Sequence, residues 1–348
     1  MLHRKETPMH IPDNYLSPQT CAVMGAAMVP VLAVAARKVK SEITKARMPQ
    51  LGIGAAFVFL IMMFNIPVPG GTTVHVVGGT LLAALLGPWC AVICITTALL
   101  IQALLFGDGG VLALGANAFN MAFVLPFIGY FVYKFIKDRV HSPKGELIGL
   151  AAGSFFGLNV SVLFTALELG IQPLLFNTAA GQPLYCPYPL SLTVPAMLIP
   201  HLTIAGLAEI VFSVAVFTFI KRVSPNMIFE GAKKRTSPVV GFIVALICLS
   251  PLGLLATGSA WGEWGVDEIR DVAVGGQALG FVPAGMQDGF HFFALLPDYA
   301  ISGLPAIVGY ILSAVIGTAL LILVFRIISS MLRDPAGRPR SNHASKSG

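Results

Sequence analysis

Apolar runs long enough to cross a bilayer recur from one end of this chain to the other, and no other feature restricts its fold so sharply. A spanning helix needs roughly 17–25 predominantly apolar residues. Of the 348 residues, 56% are hydrophobic and only 11% are charged, with a mean hydropathy of +0.81; a soluble domain carries roughly 25% charged residues. So few charges cannot cover a globule of this size in water, and lipid must cover part of it. Because the runs recur, they are not a single secretory signal ahead of a soluble domain. The expected fold is all-α: a polytopic integral membrane helical bundle of about nine transmembrane helices, near residues 18–37, 50–66, 74–86, 88–106, 113–134, 146–170, 191–220, 238–257 and 304–327. The third run is short, about 13 residues ending at the turn signal Gly87-Pro88. It is expected to tilt, break or line a cavity rather than face lipid.

The basic residues give these spans a direction, because cytoplasmic loops collect Lys and Arg. With the N-terminus outside, 19 of the 22 Lys and Arg fall on the cytoplasmic side, and only Arg4, Lys5 and Arg270 lie outside. The expected topology is therefore N-terminus out and C-terminus in, in a bacterial or archaeal cytoplasmic (inner) membrane. The net charge of +6 then reflects topology and implies no nucleic-acid partner. The five cysteines form no CxxC pair; four lie in apolar runs, where a thiol is a small buried hydrophobe, and no disulfide is assigned.

The same pattern suggests a division. Residues 9–222 hold seven spans, 223–237 form a basic cytoplasmic linker, 238–330 form a two-helix unit with an outside loop at about 258–303, and 331–348 are a polar tail. That loop carries Glu263, Asp267, Glu268, Asp271, Asp288 and Asp298 against Arg270 alone; it reads as solvated surface, the alternative being acids that attract or bind cations.

No GxxxxGK[ST] phosphate-binding loop occurs in the sequence, so active transport by this chain would draw its energy from another subunit. The outer face concentrates the unusual residues. His10 stands in Met9-His10-Ile11-Pro12-Asp13 before the first span, and His75 follows a loop of prolines and glycines. The loop Phe106-Gly107-Asp108-Gly109-Gly110 could fold over both. Two imidazoles converging there suit Ni, Co, Cu or Zn; the alternative is two unrelated interfacial histidines. Inside the bundle, His201 and Glu209 lie about two turns apart on one helix face, either as functional ionisable groups or as partners of other buried polar groups. Gln102 and Asn120 are candidates to orient a ligand by hydrogen bonds, or to bond helix to helix. Glu168 is expected at a helix end facing water. Gly25, Ala26, Ala27, Ala33, Ala35 and Ala36 give the first span small residues, suited to a docking face or to internal packing.

Several of these stretches carry a resemblance. The segment from Met9 through Asn14-Tyr15-Leu16-Ser17-Pro18 is similar to the N-terminal signature of the CbiM/NikM family. So are His75 through Gly78-Gly79 to Leu86-Gly87-Pro88-Trp89, Gln102 through Gly110, and Gly115-Ala116-Asn117-Ala118-Phe119-Asn120-Met121. Members are the substrate-binding (S) components of energy-coupling-factor cobalt and nickel transporters. The resemblance implies seven helices with an outside N-terminus. It also implies a near-planar nitrogen site for Co(II) or Ni(II), the transported substrate: the α-amine of Met9, the backbone nitrogen and ring of His10, and the ring of His75. Such a set favours Ni(II), Cu(II) or low-spin Co(II) over tetrahedral Zn(II). An α-amine at Met9 requires translation to start there or residues 1–8 to be removed, so residues 1–8 are read as an extension or a mis-assigned start. The implied partners are a transmembrane coupling (T) subunit and two ATP-binding subunits.

Residues 238–330 resemble the small CbiN/NikN-like partner, fused in frame, through Ser250-Pro251-Leu252-Gly253 and Gly258-Ser259-Ala260-Trp261-Gly262-Glu263-Trp264-Gly265. The expected function is therefore metal capture for ATP-driven import, with no intrinsic enzyme activity. The alternatives are an autonomous secondary divalent-metal transporter, whose coupling site would have to be His201 and Glu209, and a membrane enzyme.

Overall fold

A computed structural model describes residues 10–43, 47–69, 72–223, 237–256, 259–274 and 276–331. Nine main helices run through the described residues. They are α1 (Pro18–Glu42), α2 (Met48–Met62), α3 (Gly79–Leu86), α4 (Pro88–Phe106), α5 (Leu114–Arg139), α6 (Pro143–Gly170), α7 (Leu190–Val223), α8 (Ser237–Leu249) and α9 (Ala306–Met331). Seven helices among the described residues are long and apolar enough to cross a membrane. The chain is a multi-pass membrane protein built as a helical bundle.

Local chemistry sets where the helices begin. Ser17 caps α1 by accepting from the Thr20 amide at 3.1 Å, with Pro18 in the first turn, and Ser142 and Pro143 repeat the device at α6 (3.1 Å to the Gly145 amide). The third expected span is corrected here. The β-branched run Thr72-Thr73-Val74 favours extended backbone, so residues 72–75 form strand β2 (Thr72–His75), paired antiparallel with β1 (Asn65–Val68). Helix α3 starts only after Gly78, whose φ of +70° suits glycine. It is eight residues long and buried along its whole length, a half-helix enclosed by protein.

Helix α2, also short at 15 residues, lies inside the bundle, with α9 packed along it. Gly52 admits the backbone of Ile322, and the Tyr310 hydroxyl donates to the Met63 carbonyl at 2.8 Å. The two-helix unit is thus a wall of the bundle. Helices α5 and α6 pack glycine against glycine: a Cβ on Gly153 would stand 2.3 Å from the Gly129 carbonyl oxygen. Large apolar residues exposed on the outer helices, such as Val23, Val29, Phe131, Leu207 and Val211, form the lipid face. The small residues of α1 divide: Ala35 is buried and Gly25 meets Gly115, while Ala26, Ala33 and Ala36 are exposed.

At one end of the bundle Glu146 pairs with Lys137 (3.4 Å) and with Lys221, which brings the basic ends of α5 and α7 together. At the other end the segment 259–305 covers the N-terminal segment. The five cysteines are free thiols.

Candidate metal-binding site

The N-terminal segment is threaded into the loop that follows α4. The Ile11 amide donates to Asn117 Oδ1 at 3.1 Å, and Asn117 Nδ2 returns a bond to the Ile11 carbonyl at 3.0 Å. That carbonyl also accepts from the Gly110 amide at 2.9 Å. The Asp13 carboxylate accepts from the Val111 and Leu112 amides at 3.0 and 2.8 Å. The approach needs the glycines: a Cβ on Gly109 (φ +86°) would sit 2.9 Å from His10 Cβ, and one on Gly110 would sit 2.4 Å from the Asp13 nitrogen.

This threading buries His10, 3% exposed, with its ring edge-on to His75 and the ring centroids 5.2 Å apart. With metal–nitrogen bonds of about 2.0–2.1 Å, two imidazoles on one ion have centroids roughly 4.5 Å apart at a right angle and roughly 6.4 Å apart when opposed. The observed spacing lies between those limits. Both histidines line a cavity of ≈ 80 Å³ with Asn117, Met121, Thr165, His201 and Glu263. Among the described residues no three His, Cys, Asp or Glu side chains converge as a metal-holding group, so side chains alone do not complete a coordination sphere. Met9 lies outside the described residues.

A buried relay stands behind His10. Its Nδ1–H donates to Asp108 Oδ1 at 3.1 Å, an assignment that follows from a carboxylate being only an acceptor. Asp108 Oδ2 accepts from the Tyr299 hydroxyl at 2.5 Å and from Gln102 Nε2 at 3.3 Å. His10 Nε2 is left buried and without a hydrogen-bond partner. A carboxylate behind an imidazole whose other nitrogen faces a cavity is the usual second-layer arrangement of a metal-ligating histidine.

The remaining candidates separate. Gln102 joins the relay through Asp108, two hydrogen bonds from His10. Asn120 instead bonds Thr165 (3.1 Å) and Glu168 (2.9 Å). Glu168 does not face water; it is 6% exposed, buried against Asn120, because an interior amide offers it a donor that lipid does not. Glu209 accepts from the Val77 and Gly78 amides at 2.9 and 2.8 Å, satisfying the start of α3 and holding the segment just after His75. His201 donates through Nδ1 to the Met197 carbonyl at 2.7 Å.

The acidic outside loop is not wholly solvated. Glu263 is drawn into the protein, where burial and the neighbouring Asp108 charge push its carboxyl well above the ordinary carboxylate range. Asp108, Asn117, Tyr299 and Glu263 were not singled out as site residues by the sequence. The available signals were an aspartate between glycines in Gly107–Gly110 and an asparagine in an otherwise apolar run; Tyr299 and Glu263 reach the site only through the tertiary fold.

Comparison with known proteins places these features. The profile of the family described as cobalt uptake substrate-specific transmembrane region matches residues 10–227, and that of the PDGLE domain matches residues 235–334. The chain is 52% identical over 321 residues to the probable fused nickel transport protein LarMN of Lactiplantibacillus plantarum, covering 91% of this chain and 97% of that protein. It is 45% identical over 334 residues to the fused nickel transport protein NikMN of Rhodobacter capsulatus, covering 90% and 95%. A crystal structure of a truncated transition metal transporter matches with a TM-score of 0.59 at 56% identity, over 62% of this chain and 99% of that one.

Proposed function

The chain belongs to the CbiM family of cobalt uptake transmembrane regions, with a CbiN-like PDGLE domain in the same polypeptide, and from that premise we propose that it is the metal-binding membrane subunit of an energy-coupling-factor importer of Ni(II) or Co(II). The chain is a transport protein and not an enzyme, as its relatives are. In the proposed cycle, residues 9–222 bind the ion from outside. A transmembrane coupling subunit and two ATP-binding subunits drive its release inward.

The observation that carries this reading is the meeting of the His10 and His75 rings on one cavity, with centroids 5.2 Å apart. Nitrogen donors from residue 9 and the His10 backbone complete the proposed set with the two rings. An imidazole that chelates together with its own backbone nitrogen does so through Nδ1. Loading therefore turns the His10 ring by half about Cβ–Cγ, which brings Nδ1 to the cavity and Nε2–H toward Asp108. The carboxylate orients the ring in both states.

The test is elemental analysis of purified protein loaded with Ni(II) or Co(II), with and without His75→Ala. The expected result is close to one ion per chain, lost in the variant. Unmutated protein that retains neither ion would overturn the assignment.

A further inference from the structure

Residues 290–296 belong to the loop that the sequence presents as solvated surface, yet they are mostly apolar: Phe290-His291-Phe292-Phe293-Ala294-Leu295-Leu296. No helix or strand forms over them, and exposure alternates along the last four. Ala294 lies against the protein, its Cβ 3.3 Å from where a Cβ on Gly107 would stand, and Leu296 packs on the helical core. The side chains between them are bare: Phe293 is 91% exposed and Leu295 79%. An alternating segment that covers a protein in water carries polar residues on its outward face. This one carries a phenylalanine and a leucine there, and an apolar patch left open in this way marks a contact with something apolar.

Backbone hydrogen bonds fix the height at which these side chains stand. The Leu296 amide donates to the Leu105 carbonyl at 2.8 Å. Asn14 pairs with Phe290 in both directions, donating to its carbonyl at 2.8 Å and accepting from its amide at 2.9 Å. Leu105 is one residue from the end of α4, a helix of 19 residues, about the length that crosses the hydrocarbon layer. The segment is therefore held where hydrocarbon gives way to headgroups, on the metal-site side. It is continuous with the lipid face: Leu100 and Leu104 are exposed on α4 as it approaches the segment, and Ile307 is exposed where α9 leaves it. Irregular backbone cannot enter the hydrocarbon layer facing lipid, so at this height the chain stays among headgroups and only its side chains reach the acyl region.

We propose that Phe293 and Leu295 anchor this segment in the bilayer, their side chains dipping into the leaflet on the metal-site side. The partner is the lipid surface itself. The segment is then fixed on two sides: backbone bonds tie it to Asn14 and Leu105, and apolar burial in lipid ties it to the membrane plane. The bilayer becomes a support for the covering layer over the N-terminal segment. The proposal does not depend on which ion the cavity takes.

The experiment uses the full chain in phospholipid nanodiscs, with the exposed Cys248 replaced by serine and the four buried thiols kept. A nitroxide is attached at Phe293→Cys or Leu295→Cys, and its collisions with oxygen, which concentrates in lipid, are compared with those of chromium oxalate, which stays in water. Asp271→Cys, at an exposed loop position, is the water reference, and Val211→Cys, on the lipid face of α7, is the lipid reference. The oxygen-to-oxalate ratio at 293 and 295 is expected to exceed that at 271 by about fivefold and to approach that at 211. A ratio equal to that at 271 would overturn the proposal. So would labels shielded from both reagents, which would mean that a protein surface or a second copy covers the patch. Phe293→Trp gives a second reading without a label: in nanodiscs of brominated lipid its added fluorescence is expected to be quenched, and full emission there would count equally against the anchor.

Discussion

At the scale of single residues, Asp108 decides how His10 can act. It holds the ring from behind with one oxygen and is itself held by Tyr299 and Gln102 through the other. Tyr299 sits at φ +56°, a conformation that bulky side chains rarely adopt. Stacking on Phe106 at 4.6 Å and a bond from the Ser313 hydroxyl to its carbonyl fix it there, so local strain is retained where it aims a hydroxyl at the relay. Removing a carboxylate behind a ligating histidine typically lowers metal affinity about 10–100-fold. Asp108→Ala is expected to fall in that range for Ni(II), read by competition against a chelator, and Tyr299→Phe to lose less. An Asp108→Ala affinity equal to that of the unmutated protein would show that the ring needs no such support.

At the scale of elements, α5 and α6 are joined by a glycine seam, Gly149, Gly153 and Gly157 on α6 against α5. In lipid no hydrophobic force draws helices together, so close backbone approach supplies the attraction. Gly153→Val places a branched Cβ against the Gly129 carbonyl oxygen. It is expected to destabilise the bundle by about 1–3 kcal/mol, visible as a lower unfolding midpoint in detergent. An unchanged midpoint would mean that the pair can separate without loss. The expected third span illustrates the same dependence on surroundings. Its apolar composition is that of a membrane helix, yet its first residues end strand β2 and the helix begins only at Gly79, since Gly78 and the capping carboxylate of Glu209 allow a short α3 to begin inside the protein. Three π-helical turns, at Gln102–Phe106, Ala118–Val124 and His201–Ala205, likewise lie at positions that line or support the cavity.

For the whole molecule, charge distribution and packing point the same way. Glu146, Lys137 and Lys221 gather at one end, and the metal cavity lies toward the end capped by segment 259–305. On the proposed topology, a cysteine at Lys144 is labelled only from the cytoplasmic side and one at Asp288 only from outside. Sided maleimide labelling of intact cells against inverted vesicles reads this directly, and the reverse pattern would invert the direction of transport. The C-terminal unit covers α2, so deleting it would expose an apolar helix of 15 residues too short to span alone.

What the sequence determined by itself were properties that depend on local pattern. Bilayer-length apolar runs, the charge bias of the loops, Ser-Pro helix starts and the two histidines in recognisable surroundings are all readable residue by residue. They sufficed for a multi-pass helical bundle of the cobalt and nickel uptake family. The tertiary structure alone decided which polar groups meet. Asp108 reaches His10 across 98 positions and Tyr299 reaches Asp108 across 191, while Glu168, readable as a solvated acid, is buried and Glu263 turns one carboxyl oxygen inward. A polar side chain in an apolar bundle takes whichever donor or cation the packing brings to it, and that packing is set by long-range helix contacts that no short stretch of sequence contains.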